Sequence, residues 1–248
     1  STMASYQACL PGGSKRRDVV KKYTGSAAGV RQKFDEVSGR VAEAARRAGR
    51  DPGSVEVLVA TKYVDVDHLG VLAEAGVRLI GENRAQDLAA KHERYGDVFT
   101  YDFIGHLQSR KTKAVLPLVR LIHSVSSLSV VKEIEARASA PVEVLLEVNV
   151  AEEESKSGVP FAGVEAFLEE AAAFENVVFG GLMCMPPLFD DPEQARPFFA
   201  RTRALAARLS DDWRGRYTFA RLSMGTSADY EAAVLEGATI VRVGSVLF

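Results

Sequence analysis

Eight short apolar runs, each of strand length and separated by stretches of helical spacing, constrain this chain more than any other feature. They are VEVLVAT (55–61), VRLIG (77–81), YDFIG (101–105), LIHSV (121–125), VEVLLEVNV (142–150), VVFGGLMC (177–184), ARLSM (220–224) and TIVRVG (239–244). Between them, Val66-Leu69-Leu72-Ala73, Phe161-Val164-Phe167-Leu168-Ala171 and the Ala/Arg-rich 193–210 carry helical periodicity. Such alternation implies parallel strands joined by crossover helices. Eight units in about 200 residues, with many strands apolar throughout, predict an α/β fold of one closed (β/α)8 TIM barrel. A doubly wound open sheet is the alternative. Ahead of the first run, Val30, Phe34, Val37, Val41 and Ala44-Ala45 recur at helical spacing from about Ser26 to Arg50, so an extra N-terminal helix is expected before the barrel. Residues 1–25 lack periodicity and read as a flexible lead-in, with Ser1-Thr2 ahead of Met3 as an expression remnant; residues 26–248 then form one barrel domain.

At 248 residues and 47% hydrophobic content the chain can bury a substantial core. Its 31 Lys+Arg nearly cancel its 33 Asp+Glu, which leaves no basic footprint for nucleic acid or an anionic membrane and points to a small-molecule partner. Cys9 and Cys184 lie far apart without CxxC spacing, which argues against a disulfide framework or a zinc site and leads us to expect two free thiols. No stretch has the length and freedom from charge of a membrane span, and no signal-peptide core precedes the barrel, so a cytoplasmic protein is expected.

Barrel active sites form at the carboxyl ends of the strands. Those ends carry Lys62, Glu82-Asn83, His106 and Gln108, Ser124 and Ser126, Asn149, Met183, Ser223 and Arg242. Lys62 is expected at an apolar barrel mouth, where burial would keep its amine neutral and able to form an imine with an aldehyde. Its rival, Lys156 in EEESKSG, sits in a polar loop and reads as a loop-ordering residue, solvated or pairing with Glu152–Glu154. Ser223, Gly225, Thr226 and Ser227 of SMGTS precede a helical segment, and Gly244-Ser245 follow the last strand. Barrels bind phosphate between the loops of strands seven and eight, so these segments read as a phosphate cradle, although N-capping by Thr226 or Ser227 would also explain the first. A lysine facing a phosphate cradle suggests a phosphorylated aldehyde. Arg242, among Ile240, Val241 and Val243, needs a partner: a carboxylate in a barrel layer, or the ring nitrogen of a ligand. His123 reads as a packed, hydrogen-bonded core residue, His106 stays open, and Met183, Cys184 and Met185 read as packing, with Met183 a neighbour of any bound ring.

VEVLVATK, LIGENRAQD, YDFIGHLQSRK, LIHSVSSL, LLEVNVAEEESKSGV, GGLMCMPP and LSMGTSADYEAAVLEGATIVRVGS together resemble the YggS/PROSC family, the pyridoxal 5′-phosphate homeostasis proteins, from about Val55 to Phe248. The resemblance implies a monomeric barrel like the amino-terminal domain of alanine racemase, holding pyridoxal 5′-phosphate (PLP) as a Schiff base on Lys62. It further implies phosphate contacts from SMGTS and VRVGS, Arg242 at the pyridine nitrogen and Asn83 beside the ring. PLP-dependent apoenzymes are the implied recipients, and cofactor handling without turnover the implied activity. Departures from the usual pattern are Thr61 for Ser, Asp87 for Glu, Ser126 for Asp, Arg110 for Asn and Thr226 for Met, and the family's Gly/Arg-containing tail is absent after Phe248. A PLP-dependent amino-acid racemase is the alternative. It needs a second acid/base on the opposite face of the substrate Cα, a tyrosine from another domain in alanine racemase, and the strand-end motifs are read as offering none. A barrel aldolase using Lys62 is a third possibility.

Overall fold

The computed structural model describes residues 25–154 and 156–248. Apart from Gly25, the expected lead-in lies outside the described residues, as does Cys9.

Helix α1 (Ala27–Arg47) comes first, capped by Ser26, whose side chain accepts from the Gly29 N–H. It buries Val30, Val37, Val41, Ala44 and Ala45. Each fully buried valine there is worth about 1.5–3 kcal/mol against exposure. Then strand and helix alternate as the periodicity predicts: β1 (Glu56–Ala60), α2 (Leu69–Glu74), β2 (Leu79–Glu82), α3 (Ala85–Tyr95), β3 (Thr100–Phe103), α4 (Ser109–Val115), β4 (Leu121–Val125), α5 (Leu128–Arg137) and β5 (Val142–Asn149). The second half runs β6 (Val159–Pro160), α6 (Val164–Ala171), β7 (Val177–Met183), α7 (Arg196–Asp212), β8 (Arg221–Thr226), α8 (Tyr230–Leu235) and β9 (Ile240–Val243).

Every pairing is parallel, in the order β4-β3-β2-β1-β9-β8-β7-β5, and a β4–β5 pairing closes the ring. All eight anticipated runs are therefore barrel strands. The two-residue β6, which pairs with Val148 and Asn149 of β5, is the strand the sequence did not announce. Nor is α1 an appendage, because it packs against α8 and α2 and so fills a place in the helical ring.

Two apolar bodies result. The larger lies between strands and helices. The smaller, Leu58, Leu121, Leu145, Met183 and Ile240 with Leu79 and Ile104 against it, fills the barrel axis. Residues paired in a parallel sheet point to the same side. Arg242 pairs with Leu58, and Ser223 with Met183 and Ile240, so Arg242 and Ser223 face the axis too. Among the described residues no helix is long and apolar enough to cross a membrane.

Candidate functional site

Lys62, Asn83, Met183, Thr226 and Gly244 fall at or just past the carboxyl ends of β1, β2, β7, β8 and β9, which are consecutive around the ring in the order β2-β1-β9-β8-β7. One arc of the mouth thus gathers these five, whereas His106, Gln108, Ser124, Ser126 and Asn149 lie on or past β3, β4 and β5 on the rest of the ring.

The cradle segments meet directly. Ser227 Oγ accepts from the Gly244 N–H at 2.9 Å and from the Val246 N–H at 3.4 Å, so two backbone donors of the last loop converge on one oxygen. Thr226 donates through its N–H (2.7 Å) and its hydroxyl (3.1 Å) to Asp229 Oδ1. Gly225 sits at φ +93°, and a Cβ there would lie 2.6 Å from the Ala233 Cβ, so the turn requires glycine. Ser245 is exposed. Capping differs from expectation: SMGT belongs to β8, and Asp229, rather than Thr226 or Ser227, precedes α8. The β8–β9 register shifts between Ser223 and Thr226, and that irregularity carries the strand past the expected end of ARLSM.

Arg242 is buried, and the carboxylate-partner reading is not met: among the described residues no carboxylate comes within ion-pair distance of it. It donates through Nη1 to Ser223 Oγ, and through Nη2 to the Cys184 carbonyl at 3.1 Å and Met185 Sδ at 2.8 Å. Those three donations engage three of a guanidinium's five N–H groups. Met185 is 45% exposed at the rim, not packed as expected. Met183 and Cys184 are buried, Met183 in the axial cluster. His123 is fully buried between Ser223 and Asp102.

Lys62 departs from its expected burial as well. It is exposed, with its amine 4.6 Å from the centroid of the Tyr63 ring. The buried lysine is Lys91 of α3, which donates to the Thr61 carbonyl at 2.8 Å and pairs with Glu82 Oε1; the Thr61 hydroxyl donates to the same oxygen. This knot pins the residue before Lys62 to the residue before Asn83. The side-chain oxygen of Asn83 is buried with no partner, as is the Ser124 hydroxyl. A Cβ on Gly105 would come within 2.2 Å of the Asn83 carbonyl, so the turn after β3 lies close against Asn83.

Lys156 has no ion pair with Glu152–Glu154; Glu152 pairs instead with Arg201. Asn149 donates to the Glu153 carbonyl at 2.7 Å and so orders the loop rather than the mouth. Arg110 donates to Gln108 at 2.9 Å. His106 is exposed at the rim.

Glu147, Tyr63, Asp102 and Lys91 were not singled out by the sequence reading. Tyr63 adjoins Lys62 in the first strand-end motif and is 57% exposed, so a rim tyrosine does exist. Lys91 had a signal in its i, i+3 spacing from Leu88 and Ala85 on the buried stripe of α3. Glu147 pairs in register with Met183 and so faces the axis. Burial raises its carboxyl above the ordinary range, opposed by the Ser157 hydroxyl donation and by the charges of Arg242 and His106. A carboxyl raised on folding favours the native state below its unfolded value of about 4.3 and loses that contribution as pH rises through the folded value. Glu147→Gln should therefore raise the Tm of the ligand-free protein at about pH 8, with the gap closing towards about pH 4, in thermal melts across that range.

The family model described as alanine racemase, N-terminal domain, matches residues 41–248. A pyridoxal phosphate homeostasis protein of Aquifex aeolicus is 37% identical over 221 residues, 88% of this chain and 96% of that protein. Among solved structures, a protein of unknown function from Bifidobacterium adolescentis superposes with a TM-score of 0.82 at 33% identity, covering 94% of this chain and 100% of the other. PipY of Synechococcus elongatus, solved with PLP bound, gives 0.74 at 28% identity, covering 88% of this chain and 99% of the other. The chain belongs to the alanine racemase N-terminal-domain family and, within it, to the pyridoxal phosphate homeostasis proteins.

Proposed function

We propose that this chain binds PLP and serves intracellular PLP homeostasis, holding the cofactor covalently through Lys62, as a monomeric cytoplasmic protein without catalytic turnover. The observation that carries the reading is the arc itself: a reachable lysine, a buried arginine and two converging backbone N–H groups on adjoining strands. The name of the Aquifex relative and the PLP bound to PipY support it.

The residues fit the group. PLP is an aromatic aldehyde with an acceptor nitrogen, a phosphate and a phenolic oxygen, and when bound it supplies a carbonyl that reacts with amines. Lys62 would provide the amine. The Gly244 and Val246 N–H groups, with Ser227 turned aside, would take phosphate oxygens, and Ser245, Gly225 and Thr226 would shape that cradle. Arg242 would donate to the ring nitrogen, with Met183 beneath the ring and Asn83 beside it. Because a guanidinium does not give up its proton at neutral pH, Arg242 would leave that nitrogen unprotonated and the ring a poor electron sink. That favours storage over turnover. Tyr63 lies on Lys62 itself, and an acid/base on the opposite face of a substrate is what a racemase would need.

The test is an absorption spectrum of protein mixed with PLP, before and after borohydride, with peptide mapping of the reduced adduct. A visible band lost on reduction and an adduct on Lys62 are expected; an adduct confined to Lys156, or none, would sink the assignment. With PLP and alanine or other common amino acids, negligible racemisation is expected, whereas turnover of about 1–10³ per second that is lost in Lys62→Ala would make the protein a racemase.

A further inference from the structure

A buried polar chain runs from the floor of the barrel to Arg242. On the floor, Arg120 grips Asp102 with two bonds, Nε to Oδ1 at 3.0 Å and Nη2 to Oδ2 at 2.7 Å. His123 Nε2 lies 2.8 Å from Asp102 Oδ2, and His123 Nδ1 lies 2.7 Å from Ser223 Oγ. Ser223 Oγ in turn meets Arg242 Nη1. Asp102, His123 and Ser223 are wholly buried.

The protons in this chain have one arrangement. Asp102 is held ionised: burial alone would raise its carboxyl, but the bonds from His123 and Arg120 outweigh that and lower it. An ionised carboxylate can only accept, so His123 Nε2 carries a proton. Burial also lowers the imidazole, with the charges of Arg242 and Arg120 acting in the same sense against Asp102, so the ring is neutral and Nδ1 is a bare lone pair. Ser223 must then give its only proton to Nδ1, and its oxygen is left to accept from Arg242. The serine cannot rotate away without leaving both neighbours unpaired in a buried place, at a cost of the kind that makes such networks rigid.

We propose that Ser223, His123 and Asp102 form a positioning relay that fixes the guanidinium of Arg242, and that the relay makes the mouth select a ring bearing an acceptor nitrogen. This rests on the PLP reading above, and His123 and Asp102 act in it without touching the ligand. Arg120, 31% exposed on its side chain and also joined to Glu56, anchors the relay at the far end.

The experiment compares dissociation constants for PLP and for 1-deaza-pyridoxal 5′-phosphate, which keeps the aldehyde and phosphate but has C–H in place of the ring nitrogen. Wild type should prefer PLP by about tenfold or more, the scale of one hydrogen bond involving a charged group. In Ser223→Ala and His123→Gln the ratio should fall towards one, because the acceptor for Arg242 is removed or misdirected. His123→Asn, whose side-chain oxygen can stand at the Nδ1 position, should restore most of the preference. Thermal melts of the ligand-free variants report folding, and if the His123 variants do not fold, Ser223→Ala alone decides. A ratio unchanged in Ser223→Ala, whether both affinities fall together or neither falls, overturns the relay while leaving PLP binding intact. Wild type that forms no adduct with PLP at all overturns the underlying reading as well.

Discussion

Lys91→Met should destabilise the protein by about 3–5 kcal/mol, because it strands the Glu82 carboxylate in a dry place. The two side chains are 4% and 0% exposed, and the second carboxylate oxygen of Glu82 is already without a partner. Total stabilities of about 5–15 kcal/mol make that a large fraction. Urea unfolding followed by circular dichroism reads it, and Lys91→Met combined with Glu82→Gln should recover much of the loss, since a neutral amide can still accept from Thr61. A single-variant loss under about 1 kcal/mol would mean that water reaches the carboxylate. The pair also bears on the mouth. Lys91 holds the carbonyl of Thr61, and the Thr61 hydroxyl holds Glu82, so the backbone ahead of Lys62 and of Asn83 moves if the pair is lost.

The barrel was legible because its signal is local. Short apolar runs such as VEVLLEVNV declare a buried strand wherever they occur, and eight of them with helical spacing between leave few ways to fold. The rim was legible for the same reason, since a strand's end is written where its apolar run stops. What the sequence did not show is pairing across the ring. The Gly244 N–H finds Ser227, and Arg242 finds Ser223 and the Cys184 carbonyl, only once β8, β9 and β7 are laid side by side with their shifted registers. Lys62 failed in a different way. Position at the end of an apolar strand was taken as burial, but only Thr61, the residue after the last paired position, is buried; Lys62, one residue further on, already faces open solvent, while a lysine on a helix reaches into the interior. The lone polar residues Asp102, His123 and Glu147 inside apolar strands were a usable sign of an axial network, because a buried polar group demands a partner.

Pyridoxal, lacking the phosphate, should bind about 100-fold or more weakly than PLP, two charge-assisted backbone bonds at roughly tenfold each. In the ligand-free protein the Gly244 and Val246 donors are occupied by Ser227 Oγ, so a phosphate gains only the excess of charged over neutral acceptance, which is why the figure is modest for a dianion. Gly244→Val tests the location. Even a first carbon there would stand 3.3 Å from the Ala60 carbonyl, so a branched side chain must push the last loop away from β1, close to Lys62. The variant should lose most of the preference for PLP over pyridoxal while retaining a borohydride-trapped adduct on Lys62, because the amine and the cradle belong to different loops. Equal affinities of wild type for the two aldehydes, or a Gly244→Val protein with its selectivity intact, would show that the phosphate sits elsewhere on the rim. Gly225→Ala is the harsher companion: it imposes a Cβ at φ +93° and 2.6 Å from the Ala233 Cβ, so it should lower both selectivity and Tm, whereas Gly244→Val should act mainly on selectivity.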